Sequence, residues 1–210
     1  MTIALNKPLK SARKAKGDGH LRRAEILEAA ERIFVRDGYQ GATIRKIADE
    51  VGVSSTALYM HFRDKDEILM EICEGAIGAL LTANTELTAR PIDPVVRVRL
   101  MLDAYMRFGF ENPNTYWLTF CAVNGEISPG KDADASELGR RCYACFKDAI
   151  AAVAAEGRLR SDVDTAAQVL WAACHGVVSL RIARPKIEWK ADDILISSIL
   201  DSLFDGQVVA

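Results

Sequence analysis

A single glycine, Gly52, divides residues 41–69 into two short predicted helices. The apolar residues before it recur at helical spacing: Ile44, Ile47, Ala48 and Val51. Thr43 is a favourable N-cap for the first helix, and a glycine ends a helix at little cost because it lacks a Cβ atom. The sequence therefore predicts a helix over about 44–51 that is followed by a sharp turn.

The second predicted helix begins after Ser54, which is a good N-cap residue. Ala57, Leu58 and Phe62 can pack back on the first helix because residues three and four apart share a helix face. The remaining side chains point outward: Ser55, Thr56, Tyr59, Met60 and His61. Small residues in such a row let the backbone approach base edges, so we expect this helix to enter the major groove of DNA. An ordinary helical hairpin with a solvated face is the alternative.

The stretch from about residue 21 to residue 70 resembles the DNA-binding head of the TetR family of one-component transcriptional regulators. The matching residues are Ala30, Phe34, Gly38, Tyr39, Thr43, Ile47, Ala48, Val51, Gly52, Val53, Ser54, Leu58, Tyr59, His61, Phe62, Lys65 and Leu69. The resemblance implies an all-α fold of about nine helices. A three-helix helix-turn-helix head would precede a helical ligand-binding body that dimerises through its last two helices.

The resemblance also implies roles in DNA binding for single residues. Phosphate contacts are implied for Thr43, Tyr59, His61 and Lys65. Contacts on the base side are implied for Arg45, Ser55, Thr56 and Met60, and the cap residue Ser54 completes the predicted DNA-binding set. Many relatives have a glycine or threonine pair after the serine cap, where this chain has Ser55, Thr56 and Ala57. The operator sequence therefore does not carry over.

The charge of the chain is unevenly distributed. Residues 1–63 contain 12 Lys and Arg against 7 Asp and Glu, a net charge of +5, while the rest carries a net charge of −7. Electrostatic attraction depends on the local field within a Debye length of about 8–10 Å. The whole-chain net charge of −2 therefore does not argue against binding to double-stranded DNA.

The composition and the start of the chain suggest where the protein works. A hydrophobic fraction of 50% is high, and we expect the surplus to line a dimer interface or a pocket. The sequence offers no run of about 18 apolar residues, and the basic segment 7–16 precedes no apolar stretch. We expect a cytoplasmic protein without a membrane partner.

The expected organisation has three parts: a flexible basic arm over 1–19, a helix-turn-helix domain over 20–66 and a ligand-binding and dimerisation domain over 67–210. The arm is interpreted equally well as a solvated tail or as a DNA contact. Caps, prolines and glycines divide the body into predicted helices over about 65–89, 94–111, 113–123, 135–157, 164–183 and 191–204. No strand pattern competes with them.

Aromatic residues are concentrated on two consecutive body helices. Met101, Tyr105 and Phe108 share one helix face, and Tyr116, Trp117, Phe120 and Cys121 follow on the next helix. Together they are predicted to line a pocket for a small, mostly hydrophobic effector. A simple core is the alternative interpretation.

Two apolar stripes near the C-terminus predict a homodimer. The first contains Val169, Ala173, Gly176, Val177 and Leu180; the second contains Ile196, Ile199, Leu200 and Leu203. Two such faces pair naturally into a four-helix bundle across a two-fold axis. The alternative is that both stripes belong to the internal core. The stretch from Trp171 to Gly176, with His175, also resembles the Trp-His-Gly type of C-terminal domain in the TetR family.

The cysteines and the remaining polar residues suggest no enzyme. Five cysteines are an odd number, and a disulfide framework is not expected in a reducing compartment. Cys142 and Cys145 form a Cys-x-x-Cys pair that lacks further metal ligands, so structural thiols are favoured and a redox or metal sensor is the alternative. We expect no cofactor, no metal and no catalytic residue. A non-DNA-binding helical carrier protein also stays open as an alternative.

Overall fold

The computed structural model describes residues 19–121 and 137–209. All but the last residue of the predicted arm therefore lies outside the described residues. In chain order, the helices are α1 (Gly19–Gly41), α2 (Ile44–Val51), α3 (Ser55–Tyr59), α4 (Lys65–Thr88), α5 (Pro94–Glu111), α6 (Pro113–Tyr116), a π-helical turn (Trp117–Cys121), α7 (Glu137–Ala155), α8 (Val163–Ala183) and α9 (Asp192–Gln207). Within the described ranges, β structure is limited to an isolated bridge between Leu159 and Val208. The all-α prediction is confirmed.

Local capping explains where the first helices begin and end. The side-chain oxygens of Thr43 and Ser54 accept hydrogen bonds from backbone amides at 3.2 Å and 3.1 Å, as expected of N-caps. Asp64 caps α4 in the same way, at 2.8 Å. Gly52 has φ +75° and Gly38 has φ +70°, a region that favours glycine. The capped turn between α2 and α3 is confirmed.

The first hydrophobic core lies among α1 to α4. Its buried side chains include Ile26, Ile33, Phe34, Ile47, Leu58, Phe62, Ile68 and Ile77. The prediction that Ala57 packs on α2 is wrong, because its side chain is exposed. Helix α3 has only five residues, and Leu58 is the one that it buries in the core. One residue from far along the chain, Leu118, completes this core.

The second hydrophobic core lies among α4, α5, α7, α8 and α9. Its largest buried side chains include Met106, Tyr116, Ile150, Leu170, Ile196 and Leu200. Helix α4 belongs to both cores, since Ile68 lies in the first and Leu80 in the second. A displacement of α4 therefore acts on both cores.

The segment after Pro113 departs from the predicted single helix over 113–123. Helix α6 ends at Tyr116 and continues as a π-helical turn, which changes the helical period. The Thr119 hydroxyl donates to the carbonyl of Thr115 at 2.7 Å within this segment. The end predicted near Val123 lies outside the described residues.

Two helices are more apolar than expected from the sequence, which was predicted to contain no segment long and apolar enough to span a membrane. By length and composition alone, α4 and α8 could cross a membrane. Core helices pass the same test: α4 contributes buried residues to both cores, and α8 contributes buried residues to the second core. In α8, however, only 28% of the most apolar stretch is buried within one chain, so a large part of its apolar surface is exposed.

Candidate DNA-binding surface and effector cavity

The outward side of α2 and α3 forms a surface that we call the recognition surface; it consists of Arg45, Ser55, Thr56, Tyr59 and Met60. Met60 is 82% exposed and Tyr59 is 56% exposed, although both side chains are large and partly apolar. The Arg45 side chain is 87% exposed and its Nε lies 3.9 Å from Asp49 Oδ2. An exposed pair at this distance holds a guanidinium weakly, so Arg45 can reach a ligand in solution.

Lys65 and Arg23 contact the head itself. The Lys65 ammonium donates to the carbonyl of Tyr39 at 2.6 Å and lies 3.9 Å from the centre of the Tyr39 ring. The Arg23 guanidinium forms an ion pair with Glu71 and lies 4.0 Å from the centre of the Phe62 ring. These contacts fix α1 against the loop after α3 and the first turns of α4.

A cavity of about 320 Å³ lies in the body between α4, α5, the π-helical turn, α7 and α8. Three predicted pocket residues line it: Met101, Tyr105 and Phe120. The residues that the sequence argument missed come mainly from α4 and α7: Ile77, Leu80, Asn84, Leu102, Gly139, Arg140, Cys142, Tyr143, Phe146 and Trp171. The lining is therefore aromatic and aliphatic, with few polar groups.

Four predicted pocket residues do not line the cavity. Phe108 and Cys121 are half-buried at the edge of the second core, and Trp117 is partly exposed. Tyr116 is fully buried behind Tyr105. At Trp117 and Cys121 the prediction failed because the π-helical turn changes which side chains of residues 117–121 point inward.

A buried polar network lies directly behind the cavity wall. The hydroxyls of Tyr105 and Tyr116 are 2.7 Å apart, and the Tyr116 hydroxyl is 2.7 Å from Nδ1 of His175. Burial raises the pKa of both tyrosines and lowers the pKa of His175. The lowered pKa favours the neutral imidazole, and its Nδ1 can accept a hydrogen bond from a tyrosine hydroxyl.

The two stripes predicted for dimerisation have different surroundings. On α8, Val169 is 38% exposed, Leu180 is 51% exposed and Gly176 is exposed, while Ala173 and Val177 are half-buried. On α9, Ile196 and Leu200 are buried in the core, which contradicts their prediction as interface residues. Their face of the helix packs on α5, and Ile199 and Leu203 lie half-buried beside it.

The five thiols are all free. Burial raises the pKa of Cys142 to about 11 and that of Cys174 to about 12. Thiolates are therefore scarce at these positions near neutral pH. Among the described residues, no group of three or more His, Cys, Asp or Glu side chains could hold a metal ion.

Comparison with known proteins agrees with this architecture. Residues 26–72 match the family model of bacterial regulatory proteins of the tetR family, and residues 98–202 match that of the tetracyclin repressor-like C-terminal domain. The transcriptional repressor KstR2 of Rhodococcus jostii (strain RHA1) is 26% identical over 87% of this chain and 91% of its own length.

Solved structures have the same fold. The regulator PfmR of Thermus thermophilus has a TM-score of 0.73 and 25% identity, over 86% of this chain and 97% of that one. FadR of Bacillus subtilis, solved in complex with stearoyl-CoA, has a TM-score of 0.71 and 17% identity, over 87% of this chain and 98% of that one. A family model that spans half of the chain, a matching helix-turn-helix model and this fold establish that the chain belongs to the TetR family of transcriptional regulators.

Proposed function

We propose that the protein is a cytoplasmic, homodimeric repressor that binds a palindromic DNA operator and is released from it by a small, mostly hydrophobic effector. The observation that carries this proposal is the recognition surface: a short capped helix that exposes Tyr59 and Met60. Tyr59 and Met60 are adjacent, and two neighbouring large side chains in water form a patch that a partner can cover. The basic charge of residues 1–63 favours a nucleic acid as that partner.

The predicted DNA contacts divide into two groups. Arg45, Ser55, Thr56 and Met60 are proposed to face the bases, while Thr43, Tyr59, His61 and Lys65 are proposed to contact phosphates, with Ser54 as the cap between them. For Lys65 this contact requires an ammonium that also donates to Tyr39. A lysine has three N–H donors, so the two interactions are compatible.

The proposed dimer uses the exposed face of α8 and the neighbouring half-buried part of α9. Val169, Gly176 and Leu180 are exposed on α8 although two of them are large and apolar. A two-fold pairing of this face would cover them and hold two recognition helices about one DNA turn apart, ~34–36 Å. Half-sites of a palindromic operator have that spacing.

Release by an effector is proposed to pass through the segment 113–121 and α4. Phe120 lines the cavity, and Leu118 is buried in the core of the DNA-binding head. The hydroxyl of Thr115 donates to Glu31 of α1 at 2.9 Å, which adds a polar link to the head. An effector that favours another position of this segment would move the heads, since a ligand shifts an equilibrium by its differential affinity.

An electrophoretic mobility shift on the DNA upstream of the protein's own reading frame tests this function. The wild-type protein is expected to retard this DNA, and the double variant Tyr59→Ala, Met60→Ala is expected to lose the shift. Val96→Ala is the matched control, because Val96 is also an exposed large side chain but lies on α5 in the body. Equal retardation by all three proteins would contradict the proposal.

A further inference from the structure

One buried polar side chain in the cavity wall, that of Asn84, has no hydrogen-bonding partner among the described residues. Asn84 of α4 is only 8% exposed, and it lines the cavity among apolar neighbours. Its backbone carbonyl accepts a hydrogen bond from the hydroxyl of Thr88 at 2.9 Å. Across residues 19–121 and 137–209, its carboxamide has no hydrogen-bonding partner.

The carboxamide of Asn84 is not fully enclosed by protein atoms, so a molecule in the cavity can pair with it. Proteins pair nearly all of their buried polar groups. The position on α4 could hold an apolar residue, since Asn84 follows Ile77 and Leu80 at helical spacing along the wall of the cavity. An asparagine in this row is therefore explained best by a group that enters the cavity.

Two other polar groups of the wall, those of Tyr105 and Arg140, restrict what that group can be. The Tyr105 hydroxyl already pairs with Tyr116 and His175. Arg140 is the one cationic residue among the described lining residues, and it forms an ion pair with Glu137 at 2.8 Å. An anionic ligand would have to compete for this guanidinium, whereas a neutral ligand would not.

We propose that Asn84 binds the single oxygen of a neutral, aromatic effector, such as the carbonyl of an aryl ketone. The carboxamide has both a donor and an acceptor, so it can pair with a carbonyl or a hydroxyl. The aromatic wall from Tyr105, Phe120, Tyr143, Phe146 and Trp171 suits a planar ring system. A cavity of about 320 Å³ lies near the lower end of ligand pockets and suits a small molecule of this kind. The inference rests on the proposed function only in that the ligand is taken to be the molecule that releases the protein from DNA.

Equilibrium dialysis of the full chain with three naphthalene probes tests the proposal. The probes are acetonaphthone, ethylnaphthalene of similar shape without the oxygen, and naphthoate with a negative charge. The wild-type protein is expected to bind acetonaphthone roughly tenfold more tightly than ethylnaphthalene, the difference expected for one net hydrogen bond. Naphthoate is expected to bind more weakly than acetonaphthone.

Variants of α4 assign that preference to one side chain. Asn84→Leu and Asn84→Ala are expected to lose the tenfold preference, and the two differ enough in volume to separate the amide from a packing effect. Thr85→Ala is the matched control, since Thr85 is the exposed neighbour on the same helix and its hydroxyl only donates to the carbonyl of Leu81. The control is expected to keep the wild-type preference.

Three results would overturn the assignment: an equal preference in the Asn84 variants, tighter wild-type binding of ethylnaphthalene or naphthoate, or no binding of any probe. The mobility shift without probe is measured on the same proteins. Failure of DNA binding with intact probe preference would reject the repressor while the ligand site stands, and the opposite result would reject the site alone.

Discussion

Leu118 and Phe120 lie two residues apart on one π-helical turn, yet they enter different parts of the molecule. Leu118 is buried in the core of the DNA-binding head, and Phe120 lines the cavity of the body. The Cys73 thiol of α4 lies 3.8 Å from the carbonyl of Leu118, so this turn also contacts the helix that joins head and body. A side chain that fills the cavity at Phe120 therefore acts next to the head.

The first prediction separates these two roles by substitution. Phe120→Trp enlarges a cavity wall and is expected to weaken acetonaphthone binding at least tenfold while the mobility shift of upstream DNA stays intact. Leu118→Ala removes buried volume from the head and is expected to lower the free energy of unfolding by about 2–5 kcal/mol. Probe dialysis and urea unfolding measure the two effects. Unchanged probe binding by Phe120→Trp would contradict the role of this wall.

The second prediction concerns sequence reading by the recognition surface. If Arg45 contacts a guanine edge, Arg45→Ala is expected to weaken operator binding by about 1–3 kcal/mol and to relax the preference at one base pair of each half-site. Tyr59→Phe is expected to weaken binding to all DNA sequences alike, because a phosphate contact carries no base preference. Affinities on a set of single-base operator variants at fixed salt measure both. Equal operator affinities for wild type and Arg45→Ala would reject the assignment of Arg45.

The third prediction concerns the exposed face of α8. Leu180→Asp adds a charge to this face, and it is expected to give monomers that no longer bind a palindromic operator. Val96→Asp on α5 is the control, because Val96 has a similar exposure of 47% and lies outside the proposed interface. Sedimentation at micromolar concentration measures the oligomeric state. A wild-type monomer, or a dimeric Leu180→Asp variant, would contradict the proposed interface.

The fourth prediction compares two helix glycines. A Cβ at Gly109 would overlap Val178 and Tyr116, so Gly109→Ala is expected to cost about 1–3 kcal/mol of folding stability. Gly176 has open space around it within one chain. If a second chain packs closely there, Gly176→Ala will weaken the dimer. If instead the face stays open, the same change will raise stability by about 1 kcal/mol through helix propensity. Urea unfolding over a range of protein concentrations distinguishes these results.

The helix-turn-helix could be predicted because its signals are local. Thr43, Ser54 and Asp64 accept hydrogen bonds from backbone amides three residues further along the chain. Gly52 adopts the left-handed backbone conformation, which is favourable for glycine because it has no Cβ atom. The starts of two body helices followed for the same reason from Pro94 and Pro113.

The cavity and the interface could be predicted only in part, because they depend on which helices meet. Asn84 is a polar residue in an apolar row, which was a usable signal, but nothing in the sequence alone says that α4 faces α7. The stripes of α8 and α9 look alike in sequence. Packing against α5 buries Ile196 and Leu200, while Val169 and Leu180 stay exposed.

The last prediction concerns pH and the network behind the cavity. His175 has a lowered pKa in the folded protein because its ring is partly buried, and its Nδ1 lies 2.7 Å from the Tyr116 hydroxyl. The unfolded chain binds a proton at the ordinary histidine pKa of about 6.5. As the pH falls below that value, the unfolded state takes up more protons than the folded state, so folding stability decreases until the folded pKa is passed.

We therefore expect the free energy of unfolding to fall as the pH decreases below about 6.5 and to be insensitive to His175 above it. His175→Gln keeps a hydrogen-bond acceptor without a titrating ring, and it is expected to lose this pH-dependent step. His61→Gln is the control, since His61 follows α3 in the head and takes no part in the hydrogen bonds of the network, and it is expected to keep the step. Urea unfolding at several pH values measures all three proteins. The titration of carboxyl groups contributes equally to each of them, so the difference between the proteins reports on the histidine. A step of equal size in wild type and His175→Gln would show that a group other than the His175 imidazole causes it.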